Sequence, residues 1–182
     1  MATNIYDNCT NPITGETLKG LSQNAYSFTL KWTLQPKGYF PFEHVHCNQD
    51  EIYHVKKGEL KVVINGKEHI AKAGEKIIVH KGERHIASNN REEEMDAIIE
   101  YRPALDQEKF IQCYNGLIND GYIDEKGALN IPMMGYCLRK MKCKAMLRPA
   151  SIPAVAYKMA LSAFYLMGTL KGWDKLYQKY TR

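Results

Sequence analysis

The five cysteines, Cys9, Cys47, Cys113, Cys137 and Cys143, contain no C-x-x-C pair. An odd set without paired spacing excludes the disulfide framework of a small secreted domain, so reduced thiols are expected. No continuous apolar run reaches the about 20 residues needed to cross a bilayer. The first residues, Met-Ala-Thr-Asn-Ile-Tyr-Asp, show neither the basic stretch nor the apolar stretch of a secretory leader, and the expected compartment is the cytoplasm. Acidic residues nearly vanish toward the C-terminal end, where residues 130–182 hold ten Lys and Arg against the single Asp174. Internal repeats and low-complexity tracts are absent, and a 45% hydrophobic share beside 25% charged residues argues against disorder.

What is present is enough chain, 182 residues, for one principal core. Its charge is divided unevenly. Residues 1–102 carry 13 Lys and Arg against 14 Asp and Glu, while residues 103–182 carry 12 against 6, which places a boundary near Pro103. The expected domains are therefore 1–102 and 103–182. In the first, residues 27–34 alternate so that Phe28, Leu30, Trp32 and Leu34 share one face, as in a strand with one buried side. Similar short runs recur at 51–55, 59–64, 68–71, 76–80, 85–88 and 95–101, broken by Lys57-Gly58, Asn65-Gly66, Ala73-Gly74 and Lys81-Gly82. Asn65-Gly66 signals a two-residue type I′ hairpin. Many short strands without intervening helix point to a mainly β antiparallel barrel or sandwich.

After Pro103 the period changes. Leu105, Ile111, Tyr114, Leu117 and Ile118, ending at Gly121, read as an amphipathic helix, and residues 131–147 and 152–170 as two more, the last with Ser151 as N-cap. The third is apolar nearly all round and is expected to be buried. Its expected home is the barrel or a second copy, and the alternative is the surface of an anionic membrane, to which Arg139, Lys140, Lys142, Lys144 and Arg148 would be drawn.

The stretch richest in chemistry runs from Gly38 to Gly58. On a strand His44 and His46 project to one face, so both imidazoles reach one ion, and a turn through residues 47–50 returns the chain so that Glu51 adds a carboxylate oxygen. A second stretch, Gly74 to Asn89, offers His85 as a fourth ligand. If residues 39–46 form one strand, Phe40 and Phe42 share the histidines' face, and Tyr53 and Val55 share that of Glu51. Phe40, Phe42 and Tyr53 are thus candidates for an aromatic pocket lining, or equally for plain core. His54, His69 and His80 read as surface or structural groups, and Cys47 has a secondary reading as a soft ligand. No residue outside the metal set stands out as a general acid or base, with Glu43 and Glu100 the nearest candidates.

These two stretches resemble the two motifs of the cupin superfamily. G-x5-H-x-H-x4-E-x6-G is met in full from Gly38 to Gly58, and G-x5-P-x-G-x2-H-x3-N from Gly74 to Asn89, except that His80 stands at the proline. The resemblance covers roughly residues 12–102. It implies a double-stranded β-helix (jelly-roll) barrel, followed here by an α-helical extension, and a mononuclear centre with His44, His46, Glu51 and His85 as metal ligands. Three imidazoles and one carboxylate suit one divalent transition metal, Fe, Mn, Ni, Co, Cu or Zn, whose affinity falls below about pH 6.5 as the ligands protonate. Activities implied are those of a dioxygenase, isomerase or decarboxylase acting on a small oxygenated molecule. The alternatives are a non-catalytic metal or small-ligand sensor, and a scaffold whose basic tail meets a membrane or partner. A homodimer is expected because strand edges invite pairing, and nucleic acid is not among the expected partners.

Overall fold

The computed structural model describes residues 4–142 and 147–181, so Cys143 and Lys144 lie outside the described residues. The chain runs β1 (Cys9–Asn11), β2 (Glu16–Gln23), β3 (Phe28–Leu34), β4 (His44–His46), β5 (Asp50–Lys57), β6 (Glu59–Ile64), β7 (Lys67–Lys72), β8 (Lys76–Val79), β9 (Arg84–Ser88) and β10 (Met95–Arg102). It continues as α1 (Gln107–Asn119), α2 (Ile131–Lys140), β11 (Leu147–Pro149), α3 (Ala154–Leu170) and α4 (Asp174–Thr181).

Alternation builds the barrel. β3 turns Phe28, Leu30, Trp32 and Leu34 inward and Lys31 outward, and β10 does the same with Met95, Ala97, Ile99 and Tyr101. Antiparallel pairing orders the strands β1-β2-β3-β10-β5-β8 in one sheet and β11-β4-β9-β6-β7 in the other. Between the sheets lies a core that includes Phe28, Leu34, Leu60, Val62 and Met95. This is a mainly β jelly-roll with helices after it. Asn65 and Gly66 both take positive φ, 52° and 81°, and join Ile64 to Lys67 as the type I′ hairpin expected of them.

Two expectations fail, each for a physical reason. Residues 131–147 are not one helix: α2 stops at Lys140, and Leu147–Pro149 pair with β4 in the register Leu147↔His46, Arg148↔Val45 and Pro149↔His44. Proline after Arg148 pushes that residue toward extended backbone, and the open side of β4 supplies unpaired carbonyls and amides for a strand to take. Residues 39–46 are not one strand either. Only His44–His46 are, because Pro41 has no amide to give a ladder and constrains Phe40 before it.

Within the single chain α3 is only partly covered. It packs on α2 through Tyr157, Leu161 and Gly168, the last close enough to Tyr136 that no side chain fits between them. Among the described residues nothing covers its far side, which leaves Val155, Met159, Leu166 and Leu170 exposed, at 73%, 70%, 63% and 81%. Ser151 does not cap this helix, which begins after Pro153. Among the described residues no helix is long and apolar enough to cross a membrane.

The helices matter to the barrel because α1 lies along β1 and β2 at its open end. Behind it, α4 drives the fully buried Tyr180 against Gly116, where any Cβ would collide with the ring, and the Tyr180 hydroxyl donates to Asp120 at 2.7 Å.

Candidate metal centre

Every ligand candidate comes from a strand, which fixes its direction. His44 and His46 sit on β4, hydrogen-bonded between β11 and β9, and the register places His44 opposite His85 of β9. Glu51 reaches inward from β5 in the facing sheet. The structure thus brings His44, His46, Glu51 and His85 together, with one ligand atom from each lying within 4.8 Å of all the others, and all four side chains buried.

Their hydrogen bonds aim them. The Nδ1 atoms of His44 and His85 donate to the carbonyls of Phe42 and Glu83, both at 3.2 Å, which leaves Nε2 of each ring turned away toward the centre. Glu51 Oε2 lies 2.8 Å from His85 Nε2 and accepts the Tyr53 hydroxyl at 2.7 Å. His46 Nε2 lies 3.4 Å from the same oxygen yet makes no hydrogen bond, a buried polar atom without a partner. Such an atom costs free energy unless something satisfies it.

Electrostatics favour the ligating form at two of the four groups, His44 and Glu51. Burial, then the neighbouring His85 and His46 rings, hold His44 well below the usual histidine range, so it is neutral and can coordinate. For Glu51 burial works upward, but the His46 and His85 rings outweigh it and keep the carboxyl well below its ordinary range, hence anionic. For His85 burial works downward and the Glu51 carboxylate more than reverses it. Three nitrogens and one anionic oxygen converging on a buried point fit a divalent transition ion.

Beside His44, His46 and Glu51 is a narrow cavity of about 30 Å³, walled by Trp32, Tyr53, Tyr101, Phe110 and Tyr114 among others. That is room for about one water. Phe40 and Tyr53 line it. Phe42 packs beside His44, with ring centroids 5.9 Å apart, and faces a neighbouring apolar pocket under α1 and α2. A larger cleft of about 790 Å³ lies outside the barrel between residues 54–56 and 70–76; it is lined by His54 but by none of His44, His46, Glu51 and His85.

The remaining sequence candidates lie apart from the cluster. His54 contacts Glu100 at 3.3 Å, Glu100 is gripped by both Nε and Nη2 of Arg102, and Glu43 faces Arg84. His80 stands in a turn 3.7 Å from Asp50, His69 is on β7, and Cys47 is outside the converging set.

Residues 30–99 match the cupin domain family. The barrel is a cupin. Among solved structures this cupin resembles KdgF from Halomonas sp., at 18% identity and a TM-score of 0.48, over 52% of this chain and 84% of that one. It also resembles a conserved protein with a double-stranded β-helix domain from Klebsiella pneumoniae, at 22% identity and a TM-score of 0.48, over 57% and 84% of the two chains. A third is a sugar phosphate isomerase of the cupin superfamily from Silicibacter pomeroyi, at 21% and 0.45, over 51% and 62%. No curated protein matches the sequence.

The cupin motifs mark the four converging side chains but not the opposite wall. Glu16 of β2 is 1% exposed and lines the same cavity, accepting from Trp32 Nε1 at 3.1 Å and, through a short bond, from the Tyr114 hydroxyl of α1. Tyr101 adds a ring 5.3 Å from His46. One sequence signal for Glu16 exists: it shares strand parity with Leu18 and Gly20, and all three are buried.

Proposed function

We propose that this cupin holds one divalent transition metal through His44, His46, Glu51 and His85 and uses it to bind and act on a small oxygenated molecule. The observation that carries the reading is His46 Nε2, buried and unpartnered at the point where three other ligand atoms converge. A bound ion would supply a Lewis acid with positions left open for ligand oxygens. The chain's own part is to orient the imidazoles through the Phe42 and Glu83 carbonyls, to hold Glu51 through Tyr53, and to exclude water with the aromatic wall.

The small cavity also restricts what is bound. Anything larger than water needs α1 or β11 to shift, since Phe110, Ile111, Tyr114 and Leu147 close one side. Titrating metal-free protein with cobalt(II) is expected to give visible absorption that stops growing at one equivalent per chain. Growth past one equivalent with no break, or no absorption at all, contradicts the reading.

The exposed stripe of α3 is proposed to be covered by the same stripe of a second copy. Its helix has one charged residue, Lys158, so the face is nearly neutral and suits a like surface better than an anionic bilayer. Light scattering at micromolar concentration should return twice the 20.9 kDa chain mass, and a monomeric mass removes this proposal.

A further inference from the structure

Glu16 has a place in this molecule that neither structure nor packing requires of a carboxylate. It is buried at a strand position whose neighbours in parity, Leu18 and Gly20, are apolar or small. Among the described residues no Lys, Arg or His pairs with it. Its hydrogen-bond partners are an indole and a phenol, Trp32 and Tyr114, both donors. The titratable groups packed nearest it are weak acids, Cys9 on β1, Tyr53 on β5, Tyr101 on β10 and Tyr114 on α1, while His44, His46 and the anionic Glu51 share its cavity without bonding to it. Burial keeps each of the four weak acids protonated at neutral pH. A core position built only for packing would carry an apolar residue, because an uncompensated buried charge is costly.

The carboxyl also belongs to a continuous line of groups. Glu51 accepts from Tyr53, the Tyr53 ring lies 5.7 Å from that of Trp32, and the Trp32 Nε1 donates to Glu16. Glu51 and Glu16 therefore stand on one cavity, the first among the converging ligand atoms and the second away from them.

We propose that Glu16 is the proton acceptor of this cavity, taking the proton that a weakly acidic hydroxyl of the bound molecule gives up when its oxygen turns to the metal centre. In this step the ligand O–H bond breaks, its electron pair stays on the ligand oxygen, and the proton joins Glu16 to make the neutral carboxylic acid. No oxidant or reductant is involved. Burial raises the Glu16 carboxyl to about 7, with the Tyr114 and Trp32 hydrogen bonds pulling partly back, so that near neutrality the group exchanges its proton readily. Its preferred ligand is a small flat molecule with a weakly acidic hydroxyl, since the wall is aromatic and a second permanent anion beside Glu16 and Glu51 would be repelled. The proposal rests on the metal-centre reading above.

The test counts protons. Acetohydroxamic acid is small and flat, carries such a hydroxyl, and binds divalent metals through two oxygens. Zinc-loaded protein is titrated with it, and the protons released to solvent per bound hydroxamate are measured by calorimetry in two buffers of different ionisation heat. At about pH 8, where free Glu16 is ionised and the bound hydroxamate anion beside it raises the carboxyl enough to keep the captured proton, the wild type is expected to release close to none, and at about pH 5, where Glu16 already holds its proton, close to one. The variant Glu16→Gln is expected to release one at both. Tyr114→Phe removes a bond that favours the anion, so it should move the wild-type transition to higher pH, and it supplies a second check if Glu16→Gln folds poorly. Equal proton counts for wild type and Glu16→Gln, or zinc-loaded protein that ignores hydroxamate, overturn the proposal while leaving the metal centre intact. A chain that takes up no zinc overturns the metal reading instead, and this proposal with it.

Discussion

Saturating the protein with its divalent ion is expected to raise the free energy of unfolding by about 4 kcal/mol when free metal is about 1,000 times the dissociation constant. For a chain of this size that is a rise in Tm of roughly 8–16 °C. The physical reason is that the ligand atoms are gathered by the fold and not by the unfolded chain: strands β4, β5 and β9 bring His44, His46, Glu51 and His85 within 4.8 Å. The double variant His46→Ala, His85→Ala removes half of the set from two strands, and its melting temperature should not respond to metal. An equal rise in the variant would mean that the ion binds elsewhere.

A second large effect is expected from Glu16→Gln, in the pH dependence of stability. The folded carboxyl titrates at about 7, against 4.5 for the ordinary group, so between these values the folded chain holds a proton that the unfolded chain has lost. Stability from this group is therefore present in full below about pH 4.5, declines as pH rises, and is gone above about pH 7. At 1.36 kcal/mol per unit the whole change is about 3 kcal/mol. Glutamine cannot titrate. The difference in unfolding free energy between variant and wild type should accordingly grow by that amount in the variant's favour from pH 4 to pH 8, read from denaturant midpoints. Parallel profiles would show that Glu16 is ionised throughout, with a compensating partner.

The ligand set was legible because it depends on short-range geometry. Two histidines two positions apart on a strand share a face, and Glu51 and His85 follow at motif spacing. The barrel strands and the Asn65-Gly66 hairpin were legible for the same reason, since side-chain parity and positive-φ turns are local properties. β11 was not. Leu147–Pro149 becomes a strand because β4 offers it an edge, and nothing near position 147 announces a partner a hundred residues earlier. α4 is equally quiet in the sequence, being short and polar, and gains its place from Tyr180 against Gly116.

Glu16 was hidden for a different reason. Pattern reading treats a glutamate as a mark of the outer face, so the buried face of β2 could not be seen until Tyr114, 98 residues later, arrived on α1 to bond it.

The central claim is most directly tested by elemental analysis of the protein purified without oxygen, beside the His46→Ala, His85→Ala variant prepared identically. The account predicts one divalent transition ion per chain in the wild type and none held stoichiometrically by the variant. Full metal retention in the variant, or a wild type that stays metal-free after exposure to each candidate ion, contradicts it.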